Sequence, residues 1–217
     1  MTHLNIISQN PESTLVSEFK RDDKRERSYQ SEAALEAAFI RQLQEQGYEY
    51  LPIVDEESLI ANLRAQLERL NDFKFSDSEW DLFFKMVLAN QNDGIVEKTN
   101  TIQNDSVKVL SLLDGGKDGV SFRNIKLIDK DDIHRNSLQV INQYVVENGA
   151  RSNRYDVTIL VNGLPLVHIE LKKRGVDLKE AFNQINRYQR DSFWAASGLF
   201  EYVQLFVISN GTFTRYY

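Results

Sequence analysis

The chain has 217 residues, of which 41% are hydrophobic, enough for one sizeable α/β domain with a helical appendage. It has no cysteine, which excludes disulfides and thiolate chemistry, and no signal-peptide core or apolar run of membrane-spanning length, so we expect a cytoplasmic protein. Its formal net charge of −6 is unfavourable for a protein that binds DNA unaided.

The amino-terminal part of the chain predicts a polar arm followed by a helix and a strand. Residues 1–27 carry charges of both signs and no clear apolar period, so we expect a mobile arm or a solvated surface. Residues 28–46 are predicted to form a helix that ends near Gly47, on the spacing of Leu35, Phe39 and Leu43. A strand is expected over residues 48–54.

Helical patterns then continue to residue 105. Residues 57–70 predict a helix because leucine recurs every four residues, at Leu59, Leu63 and Leu67. Ser76 and Glu79 form a capping-box pattern, which predicts that another helix begins there. We interpret residues 55–105 as a helical layer or insertion whose apolar stripes belong to the core.

Three further strands are predicted before the candidate site. Residues 107–113 and 121–129 flank the glycine-rich segment 115–119, which we interpret as a hairpin turn. The segment lacks the glycine spacing and the Lys-Ser/Thr pair of a nucleotide-binding loop. Residues 138–146 are expected to form the third strand.

Two β-type runs, 154–161 and 164–173, flank Asn162-Gly163, which is a strong β-hairpin signal. Because side chains alternate between the faces of a strand, one face is expected to be apolar and the other polar and chargeable. For the polar residues to share a face, the hairpin needs a three-residue loop with Gly163 in the left-handed region. Asp156 would then lie opposite His168 or Glu170.

Asp156, Glu170 and Lys172 form the candidate catalytic group. Two carboxylates suit a hard cation such as Mg2+, which keeps several waters and binds phosphate. Without the cation the carboxylates would repel each other, and one would tend to keep its proton. The Lys172 ammonium can orient an attacking water or neutralise developing negative charge. The alternative is an amphipathic hairpin with ordinary charges on its solvent face.

Two other arrangements of catalytic residues find less support. The three histidines, His3, His134 and His168, have no zinc-site spacing, and we expect His168 beside the site or at the surface. An acid–base pair of the glycosidase type, made by Asp156 and Glu170, is disfavoured by Lys172 and by the basic residues that follow it.

A helical pattern spans residues 177–193 and places Gln184 and Tyr188 one turn apart on one side. These side chains can support a metal site by hydrogen bonding, or they can belong to a half-buried helix face. Residues 203–209 and 212–217 predict a last hairpin through Asn210-Gly211. The elements together predict an α/β fold, a mixed central β-sheet flanked by helices.

Asp156, thirteen intervening residues, Glu170-Leu171-Lys172 and then Gln184 to Tyr188 resemble the PD-(D/E)xK nuclease signature with the added QxxxY motif. Tyr155 stands at the proline position of that signature, which such nucleases keep loosely. More narrowly, residues 153–175 resemble the amino-terminal endonuclease domain of the R (restriction and translocation) subunit of type I restriction enzymes. The resemblance continues in the segments 29–32, 46–49, 181–185 and 206–212.

The resemblance implies a restriction-endonuclease-like fold with a helical insertion. It implies a nuclease domain over residues 28–217 with its catalytic core at 138–217. Asp156 and Glu170 would bind Mg2+, Lys172 would be the catalytic lysine, and Gln184 and Tyr188 would support the site. An acid from the first helix is also implied, and Glu32 and Glu36 are both candidates, although each is otherwise expected on a solvated helix face.

The implied function is a Mg2+-dependent endonuclease domain that cuts double-stranded DNA without reading its sequence. By resemblance we expect a piece of a longer subunit whose ATP-binding motor domains are absent from this sequence, working with methyltransferase and specificity subunits and with no membrane. The alternatives are a non-catalytic docking module and an autonomous nuclease.

Charge is distributed unevenly along the chain. Between Arg151 and Arg190 there are eight Lys or Arg residues and four Asp or Glu residues, a balance that suits a phosphate backbone. The acidic remainder implies that another module delivers the DNA. We also expect Lys172 to lie on an exposed strand, so that Lys172→Ala leaves folding nearly intact.

Overall fold

The computed structural model describes residues 5–9, 15–18, 31–113, 120–148 and 151–217. Its strands, in chain order, are β1 (Asn5–Gln9), β2 (Leu15–Glu18), β3 (Glu49–Tyr50), β4 (Val107–Leu113), β5 (Val120–Lys126), β6 (Leu138–Asn148), β7 (Arg151–Val161), β8 (Leu164–Leu171), β9 (Leu205–Ser209) and β10 (Thr214–Tyr216). Most of the predicted strands are confirmed, but the one expected over 48–54 is reduced to the two residues of β3.

Six of these strands form a mixed sheet in the order β10-β9-β8-β7-β6-β3. The pairs β3–β6 and β8–β9 are parallel, and the other neighbours are antiparallel. Two further sheets have two strands each, β1–β2 and β4–β5, and both pairs are antiparallel. The turn predicted between β4 and β5 lies outside the described residues.

Helices flank the central sheet, which confirms the predicted fold class. They are α1 (Glu32–Glu45), α2 (Glu56–Asn71), α3 (Asp77–Phe83), α4 (Ile95–Gln103) and α5 (Leu178–Asp191), and a π-helical segment at Phe84–Leu88 extends α3. Helix α4 was not predicted individually, because its buried residues Lys98, Thr101 and Ile102 include only one apolar side chain. No helix in the described part of the chain is long and apolar enough to cross a membrane.

Side-chain caps fix where the predicted helices begin. Ser31 accepts a hydrogen bond from the backbone N–H of Ala34, and Asp55 accepts one from Ser58. The capping box of Ser76 and Glu79 is present at the start of α3. These bonds satisfy amide groups that have no partner inside the helix, which explains why the capping-box pattern located the start of α3. Residues 28–30 lie outside the described residues.

The sheet is buried on both faces. A small cluster packs between α1 and one face and contains Ile40, Leu43, Val140, Val157, Ile169 and Leu171. A larger cluster covers the other face and includes the leucines of α2, which are fully buried at Leu59, Leu63 and Leu67. The leucine stripe therefore belongs to the core, as predicted.

The amino-terminal arm contains regular structure that its polar composition did not predict. Strands β1 and β2 pair antiparallel across residues 5–9 and 15–18. Backbone pairing of two short strands needs no long apolar period, so the polar sequence of the arm did not indicate these strands. The rest of the predicted arm, including the charged run 20–27, lies outside the described residues.

The hairpin between β7 and β8 differs from the predicted one. Val161 pairs with Leu164, so the loop has two residues, Asn162 and Gly163, both in the left-handed region with φ of 51° and 83°. The three-residue loop is therefore wrong, although the conformation of Gly163 is confirmed. The register shifts between Ile159 and Leu160, which pairs with Pro165, and beyond the shift Thr158 pairs with His168, so the polar residues of the two strands share a face. The extra residue that this requires lies within β8 and not in the loop.

Candidate active site

Asp156, in the middle of β7, lies beside the carboxyl-terminal end of β8, which contains Glu170 and is followed directly by Lys172. The Nζ atom of Lys172 lies 2.8 Å from Oε1 of Glu170. The Oδ2 atom of Asp156 accepts a hydrogen bond of 2.8 Å from the backbone N–H of Leu171, between these two residues. The structure thus brings together the three side chains that the sequence singled out.

A local irregularity accompanies Asp156. The regular β6–β7 pairing runs through Asn142–Val157 and Tyr144–Tyr155 and omits Gln143 and Asp156 between them. Gln143 has a φ of 55°, in the left-handed region that non-glycine residues seldom adopt. Tyr155 packs in the large core cluster and Val157 in the small one, although residues two apart in a regular strand share a face. The alternation of faces is therefore broken at Asp156.

Burial and neighbouring charges favour the protonated form of Asp156. Desolvation, and then the negative charge of Glu170, raise the pKa of Asp156 to about 7, with a smaller contribution from Glu36. The hydrogen bond from Leu171 and the charge of Lys172 act in the opposite direction. The repulsion expected between two close carboxylates is thus present at this site.

Lys172 is mostly buried, and its ammonium neutralises a wholly buried carboxylate. The side chain of Lys172 is 12% exposed and that of Glu170 is 0% exposed. Burial lowers the pKa of Lys172, but the charge and hydrogen bond of Glu170, aided by Asp156 and Glu32, outweigh burial and raise it. The expectation that Lys172 lies on an exposed strand is wrong, because its side chain packs against Glu170 and is largely covered.

The two acids of the first helix have different environments. Glu36 is buried and accepts hydrogen bonds from the side chains of Asn142 and Gln143, the latter at 2.7 Å. Glu32 is exposed and accepts a 3.2 Å hydrogen bond from the backbone N–H of Lys173. The expected solvated face is therefore wrong for Glu36. Asn142 and Gln143 gave no signal in the sequence, because polar residues in a strand normally face solvent.

Gln184 and Tyr188 contact each other on α5, as their spacing predicts. The Nε2 group of Gln184 donates a hydrogen bond to the hydroxyl of Tyr188, which in turn donates to the backbone carbonyl of Arg154 at 2.9 Å. Burial and the charge of Glu170 raise the pKa of Tyr188 to about 12. The pair therefore anchors α5 to β7 two residues before Asp156.

The polar face predicted for the hairpin is not open to solvent. Thr158, His168 and Glu170 are 1%, 0% and 0% exposed. His168 lies among aromatic rings instead of at the surface, with ring centroids 5.3 Å from Tyr155 and 5.7 Å from Phe193. The prediction that this face is exposed and chargeable is therefore wrong, because the large core cluster covers this side of the sheet as well.

The donor atoms at the site fit a hard divalent cation. The carboxylates of Asp156 and Glu170 provide oxygen ligands, and Oε2 of Glu170 is buried without a hydrogen-bond partner in the described part of the protein. A cation would also relieve the repulsion that raises the pKa of Asp156. No group of three or more His, Cys, Asp or Glu side chains that could hold a metal ion occurs within the described ranges. Two carboxylates by themselves suit an ion that keeps several water ligands.

Exposed basic side chains occur close in sequence to the site and on α5. Arg154 precedes Asp156 by two residues and Lys173 follows Lys172, while Lys179, Arg187 and Arg190 are exposed on α5. Glu170 is buried and Asp156 is partly exposed. Exposed cations of this kind attract a phosphate backbone.

Comparisons with known proteins agree with one another. A family model described as "Type I restriction enzyme R protein N terminus (HSDR_N)" matches residues 29–217. The chain is 47% identical over 212 residues to the "Type I restriction enzyme EcoprrI endonuclease subunit" of Escherichia coli, covering 97% of this chain and 66% of the relative.

Two staphylococcal relatives are similar over a comparable part of this chain. The "Type I restriction enzyme SsaAORF53P endonuclease subunit" of Staphylococcus saprophyticus is 39% identical over 87% of this chain. The "Type I restriction enzyme SauCOLORF180P endonuclease subunit" of Staphylococcus aureus is 39% identical over 88%. The chain spans 19% and 20% of these two relatives, and slightly less than two thirds of the Escherichia coli one.

Proposed function

The chain belongs to the family of type I restriction enzyme R protein N termini, and from that premise we propose that it is a Mg2+-dependent endonuclease domain. Its substrate would be the phosphodiester bond of double-stranded DNA, cut without reading the sequence. The observation that carries the proposal is the grouping of Asp156, Glu170 and Lys172 at the carboxyl-terminal end of β8.

Each side chain has a role in this proposal. Asp156 and Glu170 would hold the ion, and when bound the ion supplies acidity to a water and positive charge to the phosphate oxygens. Lys172 would orient the attacking water or stabilise negative charge on the phosphate. Gln184 and Tyr188 would hold β7 in place through the carbonyl of Arg154. Chemistry of this kind depends on positioning, so a firm anchor beside Asp156 matters.

The net charge of −6 supports a division of labour within a larger protein. A domain with this charge binds DNA weakly by itself, because phosphate contacts supply most non-specific affinity. We therefore propose that ATP-driven translocation by the remainder of the subunit delivers the DNA, and that the methyltransferase and specificity subunits choose the site. The complex would act in the cytoplasm. We also propose the division into an arm at 1–27, a helical layer at 55–105 and a catalytic core at 138–217.

A docking module without catalysis is the second candidate function. Its support is the exposure of apolar side chains on the helical layer, of which Leu82, Met86 and Val96 are 49%, 64% and 72% exposed. Such side chains are common at protein interfaces. A docking module needs no metal ion and should keep its function when Asp156 is replaced, whereas the nuclease should not.

The decisive experiment is DNA cleavage with Mg2+ by the whole subunit reconstituted with its partners, with ATP hydrolysis followed in parallel. Asp156→Asn keeps an acceptor for the N–H of Leu171 and removes one carboxylate. Glu180→Gln, an exposed acid on α5, is the matched control. Loss of cleavage in Asp156→Asn alone, with ATP turnover kept, supports the proposal. Cleavage equal to the native level favours docking, and cleavage by this chain alone indicates an autonomous nuclease.

A further inference from the structure

His168 is a buried histidine whose two ring nitrogens make no hydrogen bonds with the described residues. It is 0% exposed, and neither Nδ1 nor Nε2 has a hydrogen-bond partner among the described residues. Aromatic rings surround it, including Tyr155, Phe193 and Phe206. A buried polar atom without a partner costs about 1–3 kcal/mol, so an apolar residue would suit this position better for stability alone.

Two more unsatisfied polar atoms adjoin the imidazole. The Nε2 atom lies 3.7 Å from Oε2 of Glu170, which is also buried and without a partner. Thr158 is directly opposite His168 in the β7–β8 ladder, and its Oγ1 is unsatisfied as well. A separation of 3.7 Å is longer than a hydrogen bond by about half an ångström, so a small shift of either side chain is enough to form one.

His168 lies beside the carboxylate oxygen of Glu170 that Lys172 leaves free. The Nζ atom of Lys172 is 2.8 Å from Oε1 of Glu170, and Nε2 of His168 is 3.7 Å from Oε2. A carboxylate held at both oxygens has a fixed plane, whereas one held by a flexible lysine alone can rotate. Hydrogen bonds to ligating groups orient them and tune metal affinity.

We propose that His168 is a positioning residue for Glu170, whose carboxylate it fixes by donating a hydrogen bond from Nε2–H to Oε2. The contact requires a proton on Nε2, because only a protonated ring nitrogen can donate a hydrogen bond. The inference rests on the proposed function, because it assigns His168 to the metal site of the nuclease. His168 touches neither the ion nor the DNA.

Two variants separate positioning from packing. His168→Leu fills a similar volume without a donor, and His168→Gln restores a donor group near the position of Nε2. We expect Mn2+ affinity of this chain, measured by electron paramagnetic resonance, to fall about 10- to 100-fold in His168→Leu and to recover at least partly in His168→Gln. Urea unfolding should show that His168→Leu is no less stable than the native protein. Native affinity in His168→Leu, or equal loss in both variants, overturns the proposal.

The tautomer provides a test on the unaltered protein. Two-bond 15N–1H correlations distinguish the ring nitrogens, and His168 is one of only three histidines, with His3 and His134. We expect Nε2 of His168 to carry a proton. Protonation on Nδ1 alone overturns the proposal even if the variants fail to fold.

Asp156→Asn in the same Mn2+ titration distinguishes failure of this inference from failure of the proposed function. If Asp156→Asn loses the ion and His168→Leu retains it, the nuclease site stands and His168 is only structural. If Asp156→Asn retains full affinity, the metal site itself is wrong, and the role of His168 falls with it.

Discussion

Lys172 forms a 2.8 Å ion pair with Glu170, a carboxylate with no exposed surface. Removing one partner of a buried pair leaves an uncompensated charge, which typically costs about 3–5 kcal/mol. Lys172→Ala should therefore lower the free energy of unfolding strongly, and Lys172→Met combined with Glu170→Gln should recover much of the loss. Urea unfolding measures both.

The control for this pair is Lys179→Ala, an exposed lysine on α5. Its effect should stay within about 0.5 kcal/mol. Equal stability of Lys172→Ala and Lys179→Ala would contradict the buried pair. Because loss of cleavage in Lys172→Ala can follow from instability, Asp156→Asn is the better variant for assigning catalysis.

Asp156 should make the protein less stable as pH rises. The fold raises the pKa of Asp156 from 3.8 to about 7, so the folded state keeps a proton that the unfolded state has lost. The resulting stabilisation is complete below about pH 4 and is lost as pH rises to about 7. Asparagine cannot ionise, so Asp156→Asn lacks this loss. The free energy of unfolding of Asp156→Asn minus that of the native protein should therefore be roughly 2–3 kcal/mol larger at pH 8 than at pH 5.

Urea unfolding of both proteins at the two pH values checks this prediction, with Glu180→Gln as a control for an exposed acid. A difference between Asp156→Asn and the native protein that is the same at pH 5 and pH 8 would contradict the raised pKa. A stabilised variant that loses cleavage cannot owe the loss to unfolding.

Glu36, and not Glu32, should be the acid from the first helix that supports metal binding. Glu36 is buried, and its charge contributes to the raised pKa of Asp156, whereas Glu32 is exposed. We expect Glu36→Gln to weaken Mn2+ binding about tenfold or more and Glu32→Gln to change it less than about twofold. Calorimetric titration of the two variants decides, and the reverse order would assign the role to Glu32.

Gly163 should tolerate no side chain, in contrast to Gly175. Both glycines are in the left-handed region, with φ of 83° and 92°. A Cβ on Gly163 would lie 2.6 Å from the backbone Cα of Leu63, while a Cβ on Gly175 has nothing within 4 Å. Gly175→Ala should cost about 1–2 kcal/mol from backbone strain alone. Gly163→Ala should cost clearly more in the same thermal unfolding experiment, and equal costs would refute the close approach of α2.

Local patterns located most of the helices and strands and singled out the residues of the candidate site. The capping box at Ser76 and the turn at Asn162-Gly163 are contacts between near neighbours in the chain, so a short stretch of sequence contains both partners. The spacing of Asp156, Glu170 and Lys172 on neighbouring strands also needs only strand geometry and a turn.

Burial and long-range pairing were decided by the tertiary structure. Strand parity alone could not locate the register shift in β8 or the left-handed Gln143, because each depends on a partner strand. No local pattern predicts that Glu36 contacts Asn142, 106 positions away, or that the imidazole of His168 lies in an aromatic core. Exposure of a charged side chain depends on which distant segments cover it, and this is why Lys172 and Glu170 became a buried pair.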